Sequence, residues 1–178
     1  MTWVLVGRAA VLLVLGASLL TTGHGRPILG NLLATYWLIG SIATLLWARE
    51  HRGTKGSRLA FATGAIGAVA SVLALARLML LHVASTDTVL AILGVSAVLM
   101  GCLRLVGALH DDPRLVPPSW RRAALGLSEI ALGVLWIASD SVTATVTDAA
   151  GLWGLLAGTI LLLDGVHLLR TPVPAARP

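Results

Sequence analysis

The chain has 178 residues, of which 57% are hydrophobic and 12% charged, against roughly 25% charged in ordinary soluble domains. A soluble fold of this size could not hide that much apolar surface, so lipid is the expected solvent for most of it. The net charge of +5 has no polar domain on which to form a basic, aromatic-lined surface, which excludes nucleic acid as a partner.

Only helices or closed barrels satisfy their backbone polar groups in hydrocarbon. Barrel strands alternate over roughly 10 residues. The apolar runs here are about twice as long and do not alternate, which predicts an all-α chain. The first span is expected from Trp3 to Leu20. No small-x-small cleavage site follows it, so it reads as a retained membrane helix and not a signal peptide. The second, Ile28–Trp47, opens after Pro27, a residue suited to a helix start. A polar loop from Arg49 to Arg58 follows, with four basic residues and one acid.

The third span, Leu59–Leu81, carries a small-residue ladder of Ala60, Gly64 and Ala68, with Gly67 and Ser71 beside it. Such a helix can approach neighbours closely, which predicts a central position. Ser85, Thr86 and Asp87 resemble an N-cap region before the fourth span, Val89–Leu109. At helical spacing Gly94, Ala97, Gly101, Arg104 and Ala108 share one face of that span. Three prolines break the linker Asp111–Ser119. The fifth span runs from Trp120 to Ala138. A polar stretch, Ser139–Asp148, leads to the sixth, Ala149–Leu169. The tail from residue 171 to 178 is expected to be flexible and cytoplasmic.

Nine Lys and Arg residues fall on one side of this arrangement: Arg49, Arg52, Lys55, Arg58, Arg114, Arg121, Arg122, Arg170 and Arg177. The opposite loops hold only Arg26. Positive-inside bias therefore predicts cytoplasmic N- and C-termini. Trp3, Trp47 and Trp120 fall at inner ends and Trp136 and Trp153 near outer ends, as interfacial tryptophans would.

The spans repeat in pairs. Trp3, Phe61 and Trp120 mark the entries of the odd spans, 58 and 59 residues apart. Arg49, His110 and Arg170 mark the exits of the even spans, 61 and 60 residues apart. Gly16 with Gly133, and Gly40 with Gly101, share these offsets. A period of this size marks a repeated supersecondary unit. The expected fold is one polytopic membrane domain over residues 1–170: six transmembrane helices as three tandem parallel hairpin repeats, 1–49, 58–110 and 120–170. Such hairpins would pack with approximate threefold symmetry about the membrane normal.

The segments Leu38–Arg49, Leu99–His110 and Leu161–Arg170 share an even helix with small residues, a few apolar residues and a basic end. In this the chain resembles the HdeD-like membrane proteins, six-span proteins of short repeats named for a bacterial acid-resistance member. That resemblance implies a bacterial inner-membrane protein acting in acid or envelope stress. It carries no catalytic residues over to this chain.

Ionisable groups inside spans are costly unless paired, facing a cavity or snorkelling, so Arg104, Glu129 and Asp164 form the candidate intramembrane polar cluster. Arg104 and Asp164 occupy the same place in their repeats, which predicts a contact between them. Glu129 lies deeper, between Gly126 and Gly133. A buried pair that fixes helix registry and a proton or ion path are both open readings. Arg8 is expected to snorkel to headgroups, and Arg77 to do the same or meet Asp87 or Asp140. His24 and His82 fall at the outer face, where acid could charge them. His167 lies one turn from Asp164 and could share its proton.

Gly94, Gly101, Gly154 and Gly158 are candidate helix-packing positions, the last two forming a GxxxG motif within the bundle or between protomers. Ser18, Ser71, Ser96 and Ser128 read as interhelical packing or hydrogen-bonding positions. Cys102, the only cysteine, excludes an intramolecular disulfide and behaves as a small hydrophobe. No nucleophile–base set, metal motif or cofactor motif is visible, so no catalytic, cofactor-binding or metal-binding residue is expected. The first functional expectation is a non-enzymatic membrane protein that works with lipid, with a second copy or with a larger membrane complex. The alternative is a small transporter or proton conductor using Glu129, Asp164 and Arg104.

Overall fold

A computed structural model of the protein describes residues 2–21, 28–50, 52–53, 55–80, 86–110, 119–139 and 144–170. These residues form six α-helices: α1 (Thr2–Thr21), α2 (Ile28–Glu50), α3 (Lys55–Leu80), α4 (Thr86–His110), α5 (Ser119–Ile137) and α6 (Ala144–Arg170). No strand occurs among the described residues. The stretches Gly56–Ala76, Thr88–Leu109 and Ala144–His167 are each long and apolar enough to cross a membrane. The chain is therefore an all-helical protein with several helices of membrane-span character.

Two helices start earlier than their hydrophobic patterns do. α6 begins at Ala144, taking in a threonine-rich turn expected to lie outside the span. Val146 and Thr147 in that turn are each 1% exposed, so burial outweighs the weak helix propensity of threonine. α3 reaches back to Lys55, and Gly53 at φ 96° turns the chain out of α2. That left-handed conformation suits a residue without a Cβ.

The tightest packing joins α4 to α5, α1 to α6 and α2 to α3. α3 also packs on α4, and α5 more lightly on α6. Thus α1 rests mainly on α6 and not on its sequence neighbour α2.

Glycines set the closest approaches. A Cβ on Gly94 would stand 2.8 Å from the Gly133 carbonyl oxygen, and one on Gly101 2.5 Å from that of Gly126. These two contacts run in opposite directions along α4 and α5, so the pair is antiparallel. On the other side, a Cβ on Gly16 would meet the Gly151 carbonyl oxygen at 2.7 Å. Gly154 and Gly158 of the GxxxG motif face Leu12, Gly16, Ala9 and Leu13, so this motif packs within the chain.

The small ladder of α3 lies against α2, where a Cβ on Gly64 would meet the Ser41 carbonyl oxygen at 3.0 Å. Away from these contacts α3 exposes Val69, Val72 and Leu73. α3 packs on two neighbours: a Cβ on Gly67 would meet Ser41 of α2 and also stand 3.1 Å from Sδ of Met100 on α4. Ser18, Ser71, Ser96 and Ser128 each donate to a carbonyl three or four residues back in their own helix. This keeps each hydroxyl satisfied in an apolar setting.

Trp136 and Trp153 turn their rings toward α2. Trp136 is 0% exposed and stacks at 5.7 Å on Trp37, which lies 5.1 Å from Trp153. Tyr36 meets Trp37 and Trp153 edge-on at 6.5 and 6.3 Å. Ring-to-ring packing thus ties α2, α5 and α6 together.

Candidate functional site

The charged side chains of the interior are carried on α1, α4, α5 and α6. Arg104 of α4 places Nε 2.8 Å from Oε2 of Glu129 on α5. Glu129 is 2% exposed, while the side chain of Arg104 is 23% exposed. Both residues follow a glycine by three positions, Gly101 and Gly126, where the two backbones touch. Helical side chains lean toward the N-terminus of their helix. In an antiparallel pair this brings Arg104 and Glu129 over the glycine contact from opposite sides. The N–H of Nε does not align well enough with Oε2 for a hydrogen bond, so the contact is an ion pair by distance.

Asp164 of α6 pairs with Arg121 of α5, not with Arg104. Arg121 donates from Nη1 to Oδ1 at 2.8 Å, and its guanidinium also stands 5.5 Å from the ring of Trp120. The expected Arg104–Asp164 contact fails because each residue finds a closer partner on α5. α5 supplies a carboxylate to α4 and a guanidinium to α6, and so separates the two charges.

A third polar contact lies between α1 and α2. Arg8 donates from Nη1 to Oγ1 of Thr44 at 3.3 Å, and Thr44 donates in turn to the Gly40 carbonyl oxygen at 2.8 Å. Gly40 makes room for this guanidinium, since a Cβ there would lie 3.1 Å from Nη2 of Arg8. Arg8 therefore turns across to α2 and does not snorkel away.

Of the expected cluster, Arg104 and Glu129 are brought together and Asp164 sits in the neighbouring contact. Arg121, Arg8 and Thr44 were not expected to belong to it. A signal existed for Thr44: it lies 60 residues before Arg104, as Asp164 lies 60 after. Arg121 was hidden among the basic residues of a helix entry. His167 is exposed, and Cys102 is a free, exposed cysteine. His24, His82 and Asp140, with the side chains of Arg77 and Asp87, lie outside the described residues.

Among the described residues no group of three or more His, Cys, Asp or Glu could hold a metal ion. The site's chemistry is that of fixed charges: paired guanidinium and carboxylate groups linking helix to helix. Comparison with known protein families, characterised proteins and solved structures finds no match to this chain.

Proposed function

We propose that the chain is a six-span integral membrane protein of three tandem repeats, with cytoplasmic termini, in a bacterial inner membrane. It acts without catalysis, through the surface it offers to lipid, to a second copy or to a larger membrane complex. Its role in acid or envelope stress follows from the resemblance to HdeD-like proteins.

The repeat reading is supported by a common register. Moving the Gly94–Gly133 contact forward by 60 residues on α4 and back by 117 on α5 leads to Gly154 and Gly16, which also touch. Moving it back by 60 and 59 leads to Ala34 and Ala74, both 0% exposed. Thr44, Arg104 and Asp164 each lie six residues before the end of their helix and each carries a polar contact. At 1.5 Å per residue this is one level, about 9 Å from the helix ends.

The observation that carries the non-conducting reading is that both interior carboxylates are held by guanidinium groups at 2.8 Å. A proton carrier needs a carboxylate that can gain and lose its charge. A buried carboxylate fixed beside a guanidinium on the next helix suits a registry lock. Proteoliposomes with an imposed membrane potential test this. The purified chain should pass no more protons than empty liposomes. A flux lost on Glu129→Gln or Asp164→Asn would establish the transporter reading instead. For the stress role, deleting the gene should lower survival of acid challenge, and the wild-type gene should restore it.

A further inference from the structure

Where α2 gives way to α3, an open groove of about 1040 Å³ runs along the outside of the bundle. Its wall is apolar: Ile42 and Leu46 of α2 and Phe61 of α3 line it, 47%, 54% and 58% exposed. Its rim is basic, formed by Arg49, Arg52 and Arg58, all exposed. Among the described residues none of these three arginines enters an ion pair. The turn at Gly53, with its φ of 96°, returns the chain so that arginines from both helices border one groove.

The two halves of this groove ask for different chemistry in one molecule. Guanidinium forks suit phosphate oxygens, which they bind bidentately and with less dehydration than an ammonium requires. The wall continues from Arg49 to Ile42, seven residues or about 10 Å along α2, and gives such an anion no partner. An acyl chain would cover the wall but leave the arginines unsatisfied. A free phosphate would do the reverse.

We propose that this groove binds an anionic phospholipid of the cytoplasmic leaflet, its phosphate held by Arg49, Arg52 and Arg58 and an acyl chain lying along Ile42, Leu46 and Phe61. Basic recesses between membrane helices recognise acidic headgroups in this way. The proposal rests on the membrane reading above.

The test uses the full chain in detergent, with native mass spectrometry to follow bound phosphatidylglycerol and phosphatidylcholine. The wild type should prefer phosphatidylglycerol by about tenfold or more, and Arg49→Gln with Arg52→Gln and Arg58→Gln should bring the two lipids within about twofold. Removing the same charge as Arg114→Gln, Arg170→Gln and Arg177→Gln should leave the preference intact. If the groove variant does not fold, Arg52→Gln and Phe61→Ala serve singly, and each should weaken phosphatidylglycerol binding. No preference in the wild type overturns the proposal. So does equal loss in both triple variants, which would mean diffuse attraction. Displacement of the lipid by millimolar inorganic phosphate overturns it too, since the site would then hold a free anion. Release of the chain from membranes by alkaline carbonate would instead sink the membrane reading itself.

Discussion

Arg104 and Glu129 meet at 2.8 Å on opposite helices, each one turn beyond a glycine of a close backbone contact in the α4–α5 pair. The two partners are unequally buried, and this sets an unequal response to mutation. Arg104→Gln strands a carboxylate that is 2% exposed, and breaking a buried pair in this way costs about 3–5 kcal/mol. Glu129→Gln strands a guanidinium with a route toward the surface, so a smaller loss is expected. The double variant should be more stable than Arg104→Gln alone. Reversible unfolding in mixed micelles measures all three.

Charge exchange distinguishes the observed pairing from the one that repeat symmetry suggests. Arg104→Asp combined with Asp164→Arg would set an acid beside Glu129 and a guanidinium beside Arg121, two like-charge contacts in place of two ion pairs. Its unfolding midpoint should lie below that of either single change. Arg121→Asp combined with Asp164→Arg keeps opposite charges together and should recover part of the stability lost in each single variant. Equal behaviour of the two exchanges would remove the assigned pairing.

The glycines predict a graded series. A Cβ on Gly16 meets backbone at 2.7 Å, which cannot yield without parting α1 from α6. Gly16→Ala should therefore destabilise by about 1–3 kcal/mol, the usual scale of overpacking. On Gly40 the Cβ would meet only the flexible end of Arg8 at 3.1 Å, so Gly40→Ala should cost less. Nothing lies within 4 Å of a Cβ on Gly7, and Gly7→Ala should be neutral or gain up to about 1 kcal/mol in helix propensity. Thermal midpoints of the three variants in one detergent give the order.

Much of this architecture is legible from residue pattern alone. Uninterrupted apolar runs locate the helices, since outward-facing residues such as Val14, Val95 and Leu109 and core residues such as Leu12 and Leu93 are apolar alike. For the same reason the pattern does not say which face looks inward. It therefore does not show that Trp136 turns its ring toward Trp37. Small residues reveal where backbones can touch, but Gly154 and Gly158 do not name their partner, which is α1, far away in the chain. The polar contacts were half visible. A charged residue in an apolar run is conspicuous, as Arg104, Glu129 and Asp164 are. Arg121 sits where positive-inside residues belong, and nothing local separates an ion-pair partner from a topogenic charge. Thr44 donates to its own backbone at 2.8 Å, an ordinary habit of helical threonine, and its second role as acceptor for Arg8 needs the neighbouring helix in place.

The aromatic group makes the last prediction. Trp136 is fully buried between Trp37 and the rest of the core, whereas Trp120 is 63% exposed at the start of α5. Trp136→Ala removes a large side chain from a close-packed interior and should cost about 3–5 kcal/mol. Trp120→Ala removes a ring whose main neighbour is the Arg121 guanidinium, a contact on the scale of about 0.5–1 kcal/mol at an exposed position. The two should separate clearly in unfolding midpoint. They should also separate in fluorescence, because loss of a buried indole shifts the remaining emission to the red and loss of an exposed one shifts it to the blue. A larger loss of stability from Trp120→Ala than from Trp136→Ala would contradict an inward-facing aromatic group.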